Sequence, residues 1–240
     1  MSEFLTYKDK LLKSKKAYWT AREVSQQPRI WREAAAQVEE KRTQVNAWLM
    51  PLLAKQNLRI ILTGAGTSAY VGDAIAPHLT QHSQRLFEAV STTDIVSNAK
   101  QYLLKKVPTL LISYGRSGNS PESVAAVELV NQVVDECYHL VITCNPEGSL
   151  AVSANKASNA FSLIMPEGTL DQSFAMTSSF TSMLVSTLAI FSPQPEQLAI
   201  AVKWSEDFLN NDIEAVKNHA LQPTQRLVFL GAGGLQGIAR

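Results

Sequence analysis

The sequence of 240 residues predicts an α/β protein, an αβα sandwich on a five-stranded parallel sheet with a helical N-terminal extension. Three observations carry that expectation. Short apolar runs recur at Leu58–Thr63, Leu86–Val90, Thr109–Ser113, His139–Thr143 and Phe161–Met165, each of strand length. Between them lie Ser68–Gln81, Thr93–Leu103, Ser120–Glu136 and Ser149–Ala157, each able to form a helix. Strands joined by helical crossovers make βαβ units, whose sheet is parallel and buried on both faces.

Residues 1–57 read as the helical extension. Trp31, Ala34, Ala35, Val38, Val45, Trp48, Leu49 and Leu52 recur at three- and four-residue intervals, which marks one apolar face of a long helix. Gln27-Pro28 sets its start, because proline fits a first turn and disrupts an interior. The stripe reads as a packing face rather than a ligand box. Beyond the fifth run, Asp171–Phe191 and Gln197–Ala220 supply two further helices. The stretch from Phe174 to Phe191 has no charge and approaches bilayer length. It also carries Thr177, Ser178, Ser179, Thr181, Ser182, Ser186 and Thr187, too many hydroxyls to face lipid. A helix buried among protein neighbours, or at a subunit contact, fits it.

Arg59–Gly66 (RIILTGAG) reappears as Arg226–Gly233 (RLVFLGAG), displaced by 167 residues. Such self-similarity predicts a tandem second domain. The expected organisation is an extension over 1–57, a first domain over 58–220 and the truncated start of a second over 221–240. A strand and half a helix cannot make a core, so the chain reads as part of a longer protein.

Lys and Arg total 22 against 21 Asp and Glu, so no global field favours nucleic acid or an anionic membrane. An anionic ligand must be held by local geometry. The two cysteines, Cys137 and Cys144, give neither a disulfide framework nor a zinc spacing, and read as free thiols in a reducing cytoplasm. The opening MSEFLTYKDK has neither the apolar run nor the cleavage site of a secretory signal.

Two loops carry the chemistry. The first is Thr63-Gly64-Ala65-Gly66-Thr67-Ser68, at the end of the first strand. Its glycines permit a tight turn, and the helix that follows offers unpaired N–H groups to an anion. A dinucleotide fingerprint is the rival, but Ala69 stands where its third glycine belongs, and Asp94 is the one acid close after the second strand. The second loop runs from Ser113 through Tyr114, Gly115, Arg116, Ser117, Gly118, Asn119 and Ser120 to Pro121 and Glu122. Pro121 and Glu122 suit a first helical turn, and Ser120 suits its N-cap. Ser117, Asn119 and Ser120 can direct several hydrogen bonds at one phosphate, each worth about 1.5–3 kcal/mol when the acceptor is charged. Three or four of them would hold a phosphate without a metal.

TGAGTSA followed by SYGRSGNSPES resembles the paired signature of the SIS (sugar isomerase) family. That resemblance implies a flavodoxin-like five-stranded sheet that binds phosphosugars through its serine-rich loop. Thr20–Pro28 is similar to the approach to this domain in the isomerase half of glucosamine-6-phosphate synthase. Gly168–Thr181, with Ala175 and Thr177, is similar to the segment that closes over the sugar in those proteins. Within the family the chain looks like the AgaS type of amino-sugar phosphate deaminase/isomerase, which implies conversion of galactosamine 6-phosphate to tagatose 6-phosphate with loss of ammonia. The substrate-binding set so implied is Gly64, Gly66, Thr67, Ser68, Ser113, Arg116, Ser117, Asn119, Ser120, Ala175 and Thr177. One departure stands out: the commoner loop reads Ser-x-Ser-Gly-x-Ser/Thr, and here Gly115 replaces the first serine. Ser117 and Ser120 therefore carry over more safely than Ser113. Arg116 is open between a bidentate phosphate contact and solvent.

The reaction needs a base that moves a proton between C2 and C1, and a second group for ring opening. In the synthase relatives the base glutamate and the ring-opening histidine lie in the second SIS domain, which would fall beyond Arg240. His78, His82, His139 and His219 match no such motif, so no catalytic residue is assigned within the chain. The resemblance implies no cofactor or metal, no nucleic-acid or membrane partner, a cytoplasmic enzyme and a homo-oligomer. Two alternatives remain: a strict aldose–ketose isomerase, and a non-enzymatic phosphosugar sensor. A sensor would carry a helix-turn-helix ahead of the domain, whereas this opening has one convincing long helix and no basic recognition face.

Overall fold

The computed structural model describes residues 3–240. A minimal hairpin, β1 (Glu3–Phe4) and β2 (Tyr7–Lys8), and a short α1 (Asp9–Ser14) precede α2 (Tyr18–Ser25), α3 (Gln27–Glu40) and α4 (Arg42–Leu53). The sandwich follows as β3 (Arg59–Gly64), α5 (Thr67–Ser83), β4 (Phe87–Ala89), α6 (Thr92–Ser97), α7 (Ala99–Tyr102), β5 (Thr109–Gly115), α8 (Pro121–Val133), β6 (Cys137–Thr143), α9 (Ser149–Ala154) and β7 (Ala160–Ile164). Last come α10 (Ser178–Phe191), α11 (Pro195–Asp207), a π-helical turn at Phe208–Asp212, α12 (Ile213–Ala220) and α13 (Gly234–Ala239).

The sheet runs β4-β3-β5-β6-β7 with every pairing parallel, as the alternation of apolar runs and helices requires. Central β5 (TLLISYG) is buried along its whole length. Alternate residues feed two cores, because side chains alternate across a strand. Ile60, Leu62, Leu110, Ile112, Leu140 and Ile142 meet Val38, Val45 and Leu49 of the N-terminal helices, Leu79 of α5 and Met183 of α10. On the other face, Ile61 and Leu111 meet Ile95 of α6 and Ala126 and Val130 of α8. Both faces are covered, and the architecture is the expected αβα sandwich.

Several elements differ from the sequence reading. The single long helix is broken at Lys41, whose backbone (φ −93°, ψ 5°) leaves the helical region between α3 and α4. Ala34, Val38, Val45, Leu49 and Leu52 are nonetheless all buried, so the apolar periodicity survives the bend. Thr93–Leu103 is split at Asn98 (φ −156°) into α6 and α7. The helix expected from Asp171 begins at Ser178, with residues 166–177 irregular. The one expected over Gln197–Ala220 is divided by the π-helical turn. Arg226–Leu230 forms no strand and pairs with none among the described residues.

Helix α10 packs against α3 and α5, with Ser178, Ser179, Ser182, Ser186 and Thr187 fully enclosed. Small side chains allow that close approach. Thr187 and Thr181 spend their hydroxyls on neighbours, the Met183 carbonyl and Gln27 Oε1 respectively. No helix among the described residues is long and apolar enough to cross a membrane.

Candidate functional site

β3 and β5 are neighbours in register, with Thr63 opposite Ser113 and Gly64 opposite Tyr114. The two loops named from sequence therefore leave the same carboxyl edge of the sheet, side by side, where open parallel sheets bind ligands. At Gly64 a Cβ would fall 2.6 Å from the backbone carbon of Ser68, so only glycine lets the chain double back this tightly. Gly66 (φ 54°, ψ −129°) is the N-cap of α5, and Thr67 and Ser68 form its first turn. Thr63 Oγ1 and Ser113 Oγ, on the α6/α8 side of their strands, are buried and lack hydrogen-bond partners among the described residues. Buried hydroxyls are seldom left so.

The second loop is braced from below by the turn after β6. Thr143 Oγ1 donates to the Gly115 carbonyl at 2.6 Å, and Asn145 Nδ2 to the Ser117 carbonyl at 3.1 Å. Asn119 Oδ1 accepts the backbone N–H and hydroxyl of Ser149 at 2.8 and 2.9 Å. Its oxygen is thus committed to the scaffold, a role sequence reading missed. Ser117 Oγ receives the Asn119 N–H at 3.3 Å. Ser120 stands at the N-cap of α8 as expected, but its hydroxyl makes no capping bond. It stays half-buried and uncommitted to the helix end.

Residues 168–177 form the third side. Ser68 Oγ approaches Met176 Sδ at 3.8 Å, and Arg116 Nη1 donates to the Ser173 carbonyl at 3.0 Å. One segment thereby touches both loops. Arg116, left open between phosphate and solvent, has this third partner. Thr177 is tied to Asp171 through its backbone N–H and hydroxyl, at 2.8 and 3.3 Å. Ala175 is exposed, and Phe174 beside it is fully exposed. Acidic Asp171 and Glu23, both buried, hold this segment, and neither was singled out from the sequence.

Outside these loops, His139, His78 and Cys144 are engaged by or buried in the scaffold. His139 lies toward the opposite end of β6, its Nε2 2.9 Å from Asn131 Oδ1, and burial pushes its imidazole down to about 4. His78 Nε2 meets Ser192 Oγ at 3.0 Å. Burial pushes the Cys144 thiol up to about 12. Both cysteines are unpaired. No cluster of three or more His, Cys, Asp or Glu able to hold a metal exists among the described residues. A groove of about 750 Å³ lined by the Arg59–Glu88 ion pair, Arg85 and Leu86 opens at the other end of the strands, away from these loops.

A parallel sheet whose glycine- and serine-bearing loops converge at its carboxyl edge defines a ligand-binding α/β domain. Residues 52–193 match the SIS domain, and the chain belongs to that family. It is 52% identical over 227 residues to D-galactosamine-6-phosphate deaminase AgaS of Shewanella sp. (strain ANA-3), covering 93% of this chain and 58% of that protein. It is 51% identical over 228 residues to the Escherichia coli protein of the same description, covering 92% and 59%. The crystal structure of tagatose-6-phosphate ketose/aldose isomerase from Escherichia coli superposes with a TM-score of 0.83 at 48% identity, covering 94% of this chain and 62% of that one. The chain thus spans about three fifths of the length of the curated relatives it matches.

Proposed function

We propose that this chain carries the phosphosugar-binding half of an amino-sugar phosphate deaminase/isomerase, converting galactosamine 6-phosphate and water to tagatose 6-phosphate and ammonia. The observation that carries this reading is the meeting of residues 168–177 with both polar loops, which walls the strand ends on three sides. Backbone N–H groups at the starts of α5 and α8, with Ser117, Ser120 and Arg116, receive the phosphate. Gly64, Gly66, Thr67, Ser68, Ser113, Asn119, Ala175 and Thr177 shape the remainder of the site.

The chemistry moves a proton from C2 to C1, giving a C2 imine. Water adds to that carbon and ammonia leaves. No hydride is exchanged, so neither nicotinamide nor metal is called on. The acid and base come from a second SIS unit, which begins at 221–240. Residues 58–220 are then the first unit and 1–57 its extension. The enzyme acts as a cytoplasmic homo-oligomer, a homodimer in the simplest case, on a small phosphosugar, with neither nucleic acid nor membrane as partner; its deaminating step is a hydrolase reaction.

Calorimetric titration with galactosamine 6-phosphate and then galactosamine, in wild type and in Ser117→Ala/Ser120→Ala, tests the site. Unchanged affinity on losing the phosphate or both hydroxyls would refute it. Ammonia release by the full-length protein tests the reaction. Aldose–ketose interconversion with no ammonia would instead select the strict isomerase, the activity in the description of the Escherichia coli structure.

A further inference from the structure

The segment over the strand ends is gripped from its far side by a residue of the N-terminal extension. Glu23, on α2, is 3% exposed, and its carboxylate turns inward to residues 172 and 173. Oε1 accepts the backbone N–H groups of Gln172 at 2.5 Å and Ser173 at 3.2 Å. Oε2 lies 2.5 Å from the Ser173 hydroxyl, which is also 2.7 Å from the Ala175 carbonyl. The carbonyl of the same Ser173 accepts from Arg116 Nη1. Ser173 therefore joins α2 to the loop at 113–120. A second set of ties runs parallel to the first. The Glu23 carbonyl accepts Ser178 Oγ at 3.0 Å, and Gln26 Nε2 donates to the Gly168 carbonyl at 2.9 Å.

A buried carboxylate is costly unless its lone pairs are met. Here they are met by donors from the segment itself. An ionised carboxylate accepts at both oxygens, whereas glutamine keeps one acceptor for the two backbone N–H groups and turns N–H2 toward the Ser173 hydroxyl, which must then give up its own bond to residue 23. The charged acceptor thus gives the stronger hold at this position. We propose that Glu23 is a positioning residue for the phosphosugar site: it fixes Gln172–Ser173 so that the Ser173 carbonyl holds the Arg116 side chain of the serine-rich loop. Residues 168–177 are then set in place before the sugar arrives. This inference rests on the proposed function for the identity of the sugar, and on the contacts alone for the clamp.

Glu23→Gln tests it, with Glu23→Asp as the charge-preserving control and Ser173→Ala as a milder break in the same link. Amide exchange at Gln172 and Ser173 should accelerate about tenfold in Glu23→Gln while β3 and β5 keep their protection. Affinity for galactosamine 6-phosphate should fall about tenfold, the loss expected from one charged hydrogen bond, and affinity for inorganic phosphate should fall with it, because Arg116 is among the groups that receive the phosphate. Ser173→Ala should show the same pattern more weakly, and Glu23→Asp should recover part of the loss. A purely structural glutamate would loosen β3 and β5 together with residues 172 and 173 or leave phosphate affinity unchanged, and either result, like unchanged exchange at residues 172 and 173, would overturn the proposal. Should wild type not prefer galactosamine 6-phosphate to galactosamine, the functional reading fails separately. The clamp is then decided by amide exchange and by the Arg116 guanidinium nitrogen signal, which Glu23→Gln shifts if the two are linked and leaves in place if they are not.

Discussion

Asp171 Oδ2 accepts both the backbone N–H of Ser179, at 2.8 Å, and its hydroxyl, at 2.5 Å, across eight residues of chain. The same carboxylate takes the N–H groups of Thr177 and Ser178 at 2.8 and 3.2 Å. These are orphan donors at the start of α10, where the helix dipole also favours a negative charge. Asp171 is 5% exposed, so little water is at hand to replace it. Asp171→Ala should therefore cost about 2–4 kcal/mol, more than an ordinary cap, and Asp171→Asn less. Urea midpoints give the magnitude, and early amide exchange at Ser178 and Ser179 would show where the loss falls.

That contact also shows where sequence reading stopped. The strands of the sheet were legible because Leu110–Ile112 and Leu140–Ile142 are continuous apolar runs, and such runs specify strands buried on both faces. The two loops were legible because glycines and serines sit directly after those strands. Asp171 was read as the beginning of a helix, since local pattern cannot distinguish an acid in a first turn from one that folds back on it. Glu23 is one charge among many in the helical extension over 1–57. Only tertiary packing reveals that it faces inward, and no periodicity marks a buried acid whose donors lie 149 and 150 residues away. The break at Lys41 was invisible for a related reason: Val38 and Val45 remain on the apolar stripe on either side of it.

Thiol chemistry should separate the two cysteines. Burial raises Cys137 above the ordinary thiol range and pushes Cys144 up to about 12, and thiolate is the reactive form. Cys137 is half-buried, whereas Cys144 is 6% exposed behind the segment at 168–177. With an aromatic disulfide reagent near pH 8, native protein should label slowly at Cys137 alone. Cys144 should react only after denaturant is added. Rapid labelling of both in the native protein would contradict this enclosure.

His139 sets an acid limit on stability. Its folded value of about 4 lies below the ordinary 6.5, because burial penalises the charged ring. The unfolded chain therefore binds the proton more readily than the folded one. Above the unfolded value both states are neutral and the full stability is present. As pH falls through that value towards the folded one, stability is lost, by at most about 3 kcal/mol from this one group. His139→Leu leaves Cys137 Sγ as a donor to Asn131 Oδ1, and should flatten the urea-midpoint slope between about pH 6.5 and 4. An unchanged slope would mean that another group governs acid unfolding.

Gly233 repeats the backbone of Gly66, with φ 56° and ψ −134° against φ 54° and ψ −129°, and each caps a helix. The likeness extends to the preceding turn. A Cβ on Gly231 would strike the Leu235 backbone at 2.2 Å, as one on Gly64 would strike Ser68. The turn and helix of the sequence repeat are thus formed, while the strand half, Arg226–Leu230, joins no sheet among the described residues. Leu227, Val228, Phe229 and Leu230 are 65%, 63%, 69% and 90% exposed, although their counterparts Ile60, Ile61, Leu62 and Thr63 are all buried. Helix α13 meanwhile meets α5 at backbone distance, with Gly234 and Gly237 against Ala74 and Arg240 Nη1 2.9 Å from Asp73 Oδ2. An apolar, hydrogen-bond-competent segment held in place but uncovered invites pairing with another chain. The 240-residue chain should therefore self-associate with rising concentration. Val228→Asp/Leu230→Asp should suppress that association without moving the melting temperature, because neither side chain is part of the folded core. Sedimentation velocity over a hundredfold concentration range reads the first outcome, and thermal unfolding the second. Association that survives both substitutions would place the contact elsewhere and remove the physical support for reading Arg226–Leu230 as the opening strand of a second sheet.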